Sequence, residues 1–243
     1  MNPPKYLYKY KAINSITDLS RILSIINEHK IYMPTYDELN DPLEGAGYNI
    51  SVPGWAGISI QEAADLELSP IEETKKLFRI LSLSSDPVSP QLWAHYSNNY
   101  NGICLGFSTA RVFKEADKVR YWQKRRRRAF TARDLEEAVR DGFYYKQKEW
   151  GYEKEWRIVG RMEREEKFLR FAPNDLVAII IGNKTPEDIA QIIVNAVDSH
   201  VRVYKAVPGY QTAGIHLLKW GYQVPLNGTP IEYVTSIEDD LAK

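Results

Sequence analysis

The most apolar stretch of the chain is Leu176–Gly182, LVAIIIG. It is far too short to cross a bilayer, which takes about 20 apolar residues in a helix. Its length and continuity instead predict a buried strand over Leu176–Ile181. The segments around it mix two periods. YLYKY at Tyr6–Tyr10 alternates and is rich in aromatics, so it reads as a first strand. Ile16, Leu19, Ile22, Leu23 and Ile26 recur at helical spacing, with Ser15 or Thr17 as N-cap, and predict a helix over Ile16–His29. Further strands are expected at Ile31–Pro34, Ile80–Ser85, Ile103–Phe107, Val119–Trp122, Trp156–Val159 (starting near Tyr152) and Val201–Lys205, with an edge strand at His216–Val224. Further helices are expected after Ser69–Pro70 to about Arg79, after Ser89–Pro90, after Thr131-x-x-Asp134 to about Tyr145, and after Thr185–Pro186 to about Val197. Gly45–Gly57 and the basic Gln123–Phe130 read as connections, and Asn40–Asp41–Pro42 as a turn. No repeat or composition shift marks a linker. The expectation is one α+β domain over residues 1–243, with mixed or antiparallel sheets and packed helices.

Lys+Arg and Asp+Glu both number 32, so the net charge is zero. That argues against a dedicated nucleic-acid binder while leaving room for a local basic patch. The single cysteine, Cys104, rules out an internal disulfide and a zinc ribbon. It lies in the apolar run ICLGF and reads as a buried inert thiol. The four histidines are scattered, so no metal is expected. The first residues lack the apolar core of a signal peptide, which predicts a cytoplasmic protein without a membrane partner. No Walker loop, GxGxxG, HExxH or G-x-S-x-G is present.

Three clusters could carry chemistry. In WGYEKEWR, Trp150–Arg157, a strand would put Glu153, Glu155 and Arg157 on one face. Two carboxylates beside an arginine acquire different pKa values, which suits a general base or a hydroxyl-orienting group. The plain alternative is a charged, solvent-facing strand. In the second cluster, Trp93, His95, Tyr96 and Tyr100 follow a helix start, where a flat ring could stack. The alternative there is an aromatic core helix. The third is KRRRR, Lys124–Arg128, with Tyr121 and Trp122 adjacent. It reads either as a solvated loop or as a phosphate or nucleic-acid contact through Arg125, Arg126, Arg127 and Arg128.

These pieces stand in a recognisable order: LYKY, then MPTYDELNDPLE at 33–44, LWAHYSNNYNGICLGF at 92–107, KEWGYEKEWRIV at 148–159 and AIIIGN at 178–183. Over about residues 6–220 the chain resembles the bacterial family called domain of unknown function 2971. The order also resembles a divergent ADP-ribosyltransferase. That resemblance implies a first-strand residue holding NAD (Lys9 or Tyr10), a Tyr packing on nicotinamide (Tyr96), and a late-strand catalytic Glu (Glu155 ahead of Glu153). Lys9 stands where that superfamily has His or Arg, and no S-T-S precedes the middle strand, LSLSS at 81–85 being only a loose echo.

The leading expectation is therefore an NAD-using transferase or NAD glycohydrolase, an effector of toxin or phage-defence type. Trp93 and Tyr96 would sandwich nicotinamide beside His95, and Lys9 or Arg157 would hold the pyrophosphate. The acceptor would be a protein, a nucleic acid or water. A non-enzymatic ligand sensor or partner-binding module is the alternative. A metal-dependent nuclease using Glu153 and Glu155, with Asp41 and Glu44 joining through the fold, is a further one. On the leading reading, Glu155→Gln is expected to abolish activity and leave the fold intact.

Overall fold

A computed structural model describes residues 2–41, 48–50, 71–123, 126–128, 135–161, 166–209, 214–222 and 232–242. Its strands are β1 Tyr6–Ala12, β2 Lys30–Tyr32, β3 Tyr48–Ile50, β4 Phe78–Ser84, β5 Gly102–Ser108, β6 Asp117–Lys118, β7 Arg120–Trp122, β8 Arg126–Arg128, β9 Tyr145–Gln147, β10 Glu155–Arg161, β11 Phe168–Arg170, β12 Leu176–Gly182, β13 Arg202–Pro208 and β14 Ile215–Lys219. Eight of them form one sheet in the order β14-β13-β12-β5-β1-β4-β10-β6. Only β12 and β13 pair in parallel within it, so the sheet is mixed and the fold α+β.

The LVAIIIG run becomes β12, with Ala178 through Ile181 fully buried. Burial on both faces explains why its sequence does not alternate. Ile179 and Ile181 join the core beneath α1 (Ile16–Glu28), to which Ala190 and Ile193 of a later helix also contribute. Ala178 and Ile180 join a second core with Tyr6, Tyr8, Tyr10, Leu92 and Trp93. Helix α2 (Pro90–Tyr96) covers that side. A third core gathers Phe78 and Ile80 of β4, Val159 of β10, and Val139 and Phe143 from α3 (Leu135–Gly142) and its C-terminal flank. Among the described residues, no helix is long and apolar enough to cross a membrane.

Local signals account for the ends of α1. The Ser15 side chain accepts from the Asp18 amide, and His29 takes a left-handed conformation after the last turn. Leu19, Ile22, Ile25 and Ile26 are its buried face, while Ile16 is 78% exposed.

Several boundaries differ from the sequence reading. The helix expected to reach Arg79 ends at residue 75, because Phe78 and Arg79 are drawn into the β4–β10 ladder. Its proposed cap, Ser69–Pro70, lies outside the described residues, as does Thr131–Asp134. Helix α3 ends at Gly142, and Tyr145 enters β9, paired in parallel with Arg120 of β7. The Thr185 hydroxyl does not cap α4 (Glu187–Ala196). It bridges the backbone N–H and C=O of Gly102 instead. Arg126–Arg128, expected in a connection, pairs as β8 with β3. Lys124 and Arg125 lie outside the described residues, as does most of Gly45–Gly57.

The β1–β4 junction decides where a site can form. β1 pairs with β5 over its whole length, from Tyr6↔Ser108 to Ala12↔Gly102. Toward β4 it makes one paired position, Tyr8↔Ser84. Continued antiparallel register would bring Tyr10 opposite Ser82. The ladder stops first, and the Lys9 ammonium takes the Ser82 carbonyl at 2.8 Å. The sheet is thus split beside β4.

On the other side of β1 the packing is tight. A Cβ at Gly182 would stand 2.2 Å from the Tyr100 carbonyl oxygen, a backbone atom that cannot swing away. Gly182→Ala should destabilise the protein by about 2 kcal/mol or more. Gly160→Ala, with nothing within 4 Å of the added carbon, should stay within about 0.5 kcal/mol. Urea unfolding of the two variants checks the contrast, and equal midpoints would contradict it.

Candidate functional site

The split opens into a cavity of about 230 Å³. β1 lines it with Lys9 and Tyr10, β4 with Ser82 and Ser84, and α2 with Tyr96. Asn40 and Asp41 enter from the turn after β2, and Lys146 from β9. Glu153, Glu155 and Arg157 complete the wall.

The carboxylates do not meet by strand alternation. Lys148–Glu153 is a 3-10 helix, and β10 begins only at Glu155. Lys154 between them adopts a left-handed conformation, φ 46°. A long side chain in that region is uncommon and is held by its surroundings. Here the Ser84 hydroxyl donates to the Glu153 carbonyl at 2.7 Å, and Lys154 Nζ donates to Asp86 Oδ2 at 2.8 Å. This kink lets both carboxylates converge on Lys146.

Lys146 Nζ donates to Glu153 Oε2 at 2.5 Å and to Glu155 Oε2 at 3.3 Å. Arg157 grips Glu155 with two bonds, Nε to Oε1 at 2.7 Å and Nη2 to Oε2 at 3.1 Å. Its Nη1 donates to the Phe143 carbonyl at 2.6 Å. The Tyr96 hydroxyl donates to Glu153 Oε1 at 2.5 Å, and the Asn40 side chain also bonds the phenol. Glu153, Glu155, Lys146 and Arg157 are all buried. Buried charges are costly unless paired with good geometry and further hydrogen bonds, and this network meets both conditions.

The two glutamates diverge electrostatically. For Glu155, burial pushes the pKa up, but the Arg157 guanidinium and then the Lys146 ammonium outweigh it and hold the group well below the usual carboxylate range. For Glu153, burial and then the charge of Glu155 raise the pKa, and Lys146 offsets them only in part. The same network thus pushes the two carboxylates in opposite directions, Glu153 toward the neutral acid and Glu155 toward the charged form. Tyr96 is pushed up, first by burial and then by Glu153, and stays a phenol. Lys9 is brought down to about 7, by burial first and then by Lys11 and Arg157, against the opposing pull of Glu155 and Glu153.

Tyr96, Lys9, Tyr10, Glu153, Glu155 and Arg157 therefore line one cavity. Trp93 does not. It is fully buried, donates from Nε1 to the Pro87 carbonyl at 3.0 Å, stacks on Tyr100 and meets the edge of Tyr10. The aromatic-core alternative describes Trp93, and a ring sandwich with Tyr96 is not available to it. His95 is exposed, 6.1 Å from the Tyr152 ring, and is not part of the cavity wall. Arg157 lines the cavity with its guanidinium already bonded to Glu155 and the Phe143 carbonyl. The Tyr10 hydroxyl is committed to the Asp86 carbonyl at 2.7 Å. Cys104 is a buried free thiol, pushed up by burial.

Sequence reasoning missed Lys146, Asn40 and Ser82 as site residues. Lys146 sits in YYKQKEW with nothing to distinguish it from Lys148, and only the β7–β9 pairing carries it inward. Among the described residues no group of three or more His, Cys, Asp or Glu side chains is placed to hold a metal ion.

A family model described as "Protein of unknown function (DUF2971)" matches residues 92–158. Over those residues the chain is similar to that family. The match runs from the helix carrying Tyr96 to the strand carrying Arg157, so it includes the whole Tyr96–Glu153–Lys146–Glu155–Arg157 network and leaves out Lys9. No curated protein and no solved structure matches the chain.

Two outcomes follow. Glu155→Gln does not leave the fold untouched, because it strands a buried guanidinium. It should cost about 3–5 kcal/mol in urea unfolding, against a smaller loss for Glu153→Gln. Lys9 gives a signed pH effect. Its folded pKa, about 7, lies below its unfolded value, so between pH 7 and about 10 the unfolded chain binds the extra proton and stability rises with pH. The full contribution is about 1.4 kcal/mol per pH unit. Unfolding measured from pH 7.5 to 9.5 should show a steeper rise for wild type than for Lys9→Met, and parallel curves would remove Lys9 from this account.

Proposed function

We propose that the cavity is the active site of an NAD-using enzyme of the ADP-ribosyltransferase kind, a cytoplasmic effector of toxin or phage-defence type. The observation that carries this reading is the Tyr96–Glu153 hydrogen bond at the split beside β1, with Glu155 and Lys146 behind it. An aromatic ring and a carboxylate meet there across 57 residues of sequence. The cavity is below the ~300–1,000 Å³ usual for a complete ligand site. It suits the nicotinamide-ribose half of NAD, with the remainder outside.

In this reading Tyr96 packs on nicotinamide and Glu153 accepts from the ribose hydroxyls. The glycosidic C–N bond breaks, neutral nicotinamide leaves, and positive charge grows on the ribose. A fixed carboxylate beside that charge stabilises the transition state more than the ground state. The acceptor (protein, nucleic acid or water) then bonds to the same carbon and loses a proton. Lys9 in its protonated form is the cation for the phosphates. Glu155 is a positioning residue, acting through Lys146. This reverses the roles expected of the two glutamates, because both Glu155 oxygens are taken by Arg157.

A second reading, ligand sensing without turnover, draws on the closure of the network. Both Glu153 oxygens already have partners, Tyr96 and Lys146. The nuclease reading has less to support it, since Lys146 and Arg157 already neutralise the two carboxylates a divalent cation would need.

Nicotinamide release from NAD, followed by chromatography with and without Mg²⁺, separates the three. Wild type should release nicotinamide without Mg²⁺. Glu153→Gln should lose at least about 100-fold in kcat with KM nearly unchanged. Activity should fall on the acid side at a pH above the ordinary carboxylate range, because Glu153 must be ionised. NAD binding without release would favour the sensor, and neither binding nor release would end the proposal.

A further inference from the structure

Two lysines line the cavity, and their partners differ. Lys146 is bonded to two carboxylates. Among the described residues Lys9 has one hydrogen bond, to the neutral carbonyl of Ser82. That carbonyl is accessible to it only because the β1–β4 ladder stops at Tyr8↔Ser84. Lys11 follows on the same strand, Arg157 and Lys146 stand across the cavity, and among the described residues Glu155, Glu153, Asp41 and Glu38 are the other charged groups around it. Both glutamates spend their bonds on Lys146, Arg157, Tyr96 and the Ser82 side chain.

We infer that Lys9 is a nucleophilic amine that forms an imine with a short hydroxylated aldehyde or ketone bound in the cavity. Lysines are activated in this way by desolvation and neighbouring cations. The depression of Lys9 to about 7 agrees with the geometry and leaves a large neutral fraction near neutral pH. The wall of Asn40, Ser82 and Tyr96 is polar, and about 230 Å³ has room for a short hydroxylated carbonyl compound.

The step balances without a further reagent. The Lys9 lone pair attacks the carbonyl carbon, the C=O π pair goes to oxygen, and one of the two protons on the attacking nitrogen moves to that oxygen to give a carbinolamine. Protonated Glu153 supplies the proton with which the hydroxyl leaves as water. The N–H proton then returns to the Glu153 carboxylate. One carbonyl compound and one amine give one imine and one water. The raised pKa of Glu153 suits it to hold that proton.

The test is reductive trapping on the full chain at pH 7. Glycolaldehyde and sodium cyanoborohydride are added, and adducts are mapped by peptide mass spectrometry. Lys9 should be alkylated at least about tenfold faster than the exposed Lys114 and Lys118, because an ordinary lysine is almost wholly protonated at that pH. Its rate should level off above about pH 7. Glu153→Gln should slow trapping at Lys9 and leave Lys114 unchanged. Ribose 5-phosphate as a second probe tells whether an anionic carbonyl compound is preferred. Labelling of Lys9 no faster than of Lys114 overturns the inference, as does a rate that keeps climbing with pH. Circular dichroism of Glu153→Gln confirms that the variant is folded. The reaction needs no NAD, so failed nicotinamide release and failed trapping are separate results.

Discussion

The bidentate contact between Arg157 and Glu155 supports everything else at the cavity. Arg157 is 1% exposed and Glu155 4%. Neither charge could stay there without the other, because an isolated ion at that depth would cost several kcal/mol. Once paired, they leave one Glu155 oxygen able to accept from Lys146, and Lys146 in turn orients Glu153. The order of dependence runs from a buried ion pair on a regular strand, through a lysine on a short strand, to a carboxylate at the end of a 3-10 helix. The last member of the chain, Glu153, is the one with a raised pKa and an aromatic hydroxyl against it.

That arrangement needs the backbone to break its regularity twice. β10 cannot supply both carboxylates by alternation, so the chain turns at Lys154 in a left-handed conformation. β1 and β4 cannot be fully paired if a cavity is to lie between them, so the ladder stops after one position. The first irregularity is offset by the Ser84–Glu153 and Lys154–Asp86 bonds. The second leaves a carbonyl that Lys9 satisfies. Both irregularities are held in place by the paired strands around them. The neighbouring β1–β5 and β4–β10 ladders are continuous and flank the split on both sides.

The chemistry differs from a first inspection of ExE in an instructive way. Two glutamates two residues apart on a strand look interchangeable, and the late one has the preference from family resemblance. In the folded protein one is neutralised by a guanidinium that shares its strand, and the other faces a phenol from a helix more than fifty residues earlier. Similarly, Trp93 and Tyr96 look like a matched pair of stacking rings. One turn of helix directs Trp93 into the core with Tyr10 and Tyr100, and Tyr96 into the cavity.

What the sequence determined by itself was local. The unbroken apolar run at Leu176–Gly182 required a strand covered on both faces. Ser15 with the Ile/Leu spacing required α1, and Ser89–Pro90 required the start of α2. Such signals act within a turn or a few residues, so one chain segment contains them whole. Tertiary structure decided which strands are neighbours, where pairing stops, and which charges meet. Lys146 becomes a site residue only because β9 pairs with β7, and Lys9 only because β1 parts from β4. A two-residue period says that a side chain faces one side of a sheet, but not what stands opposite it. Pairing, burial and pKa depend on that opposite partner, and only the closed fold supplies it.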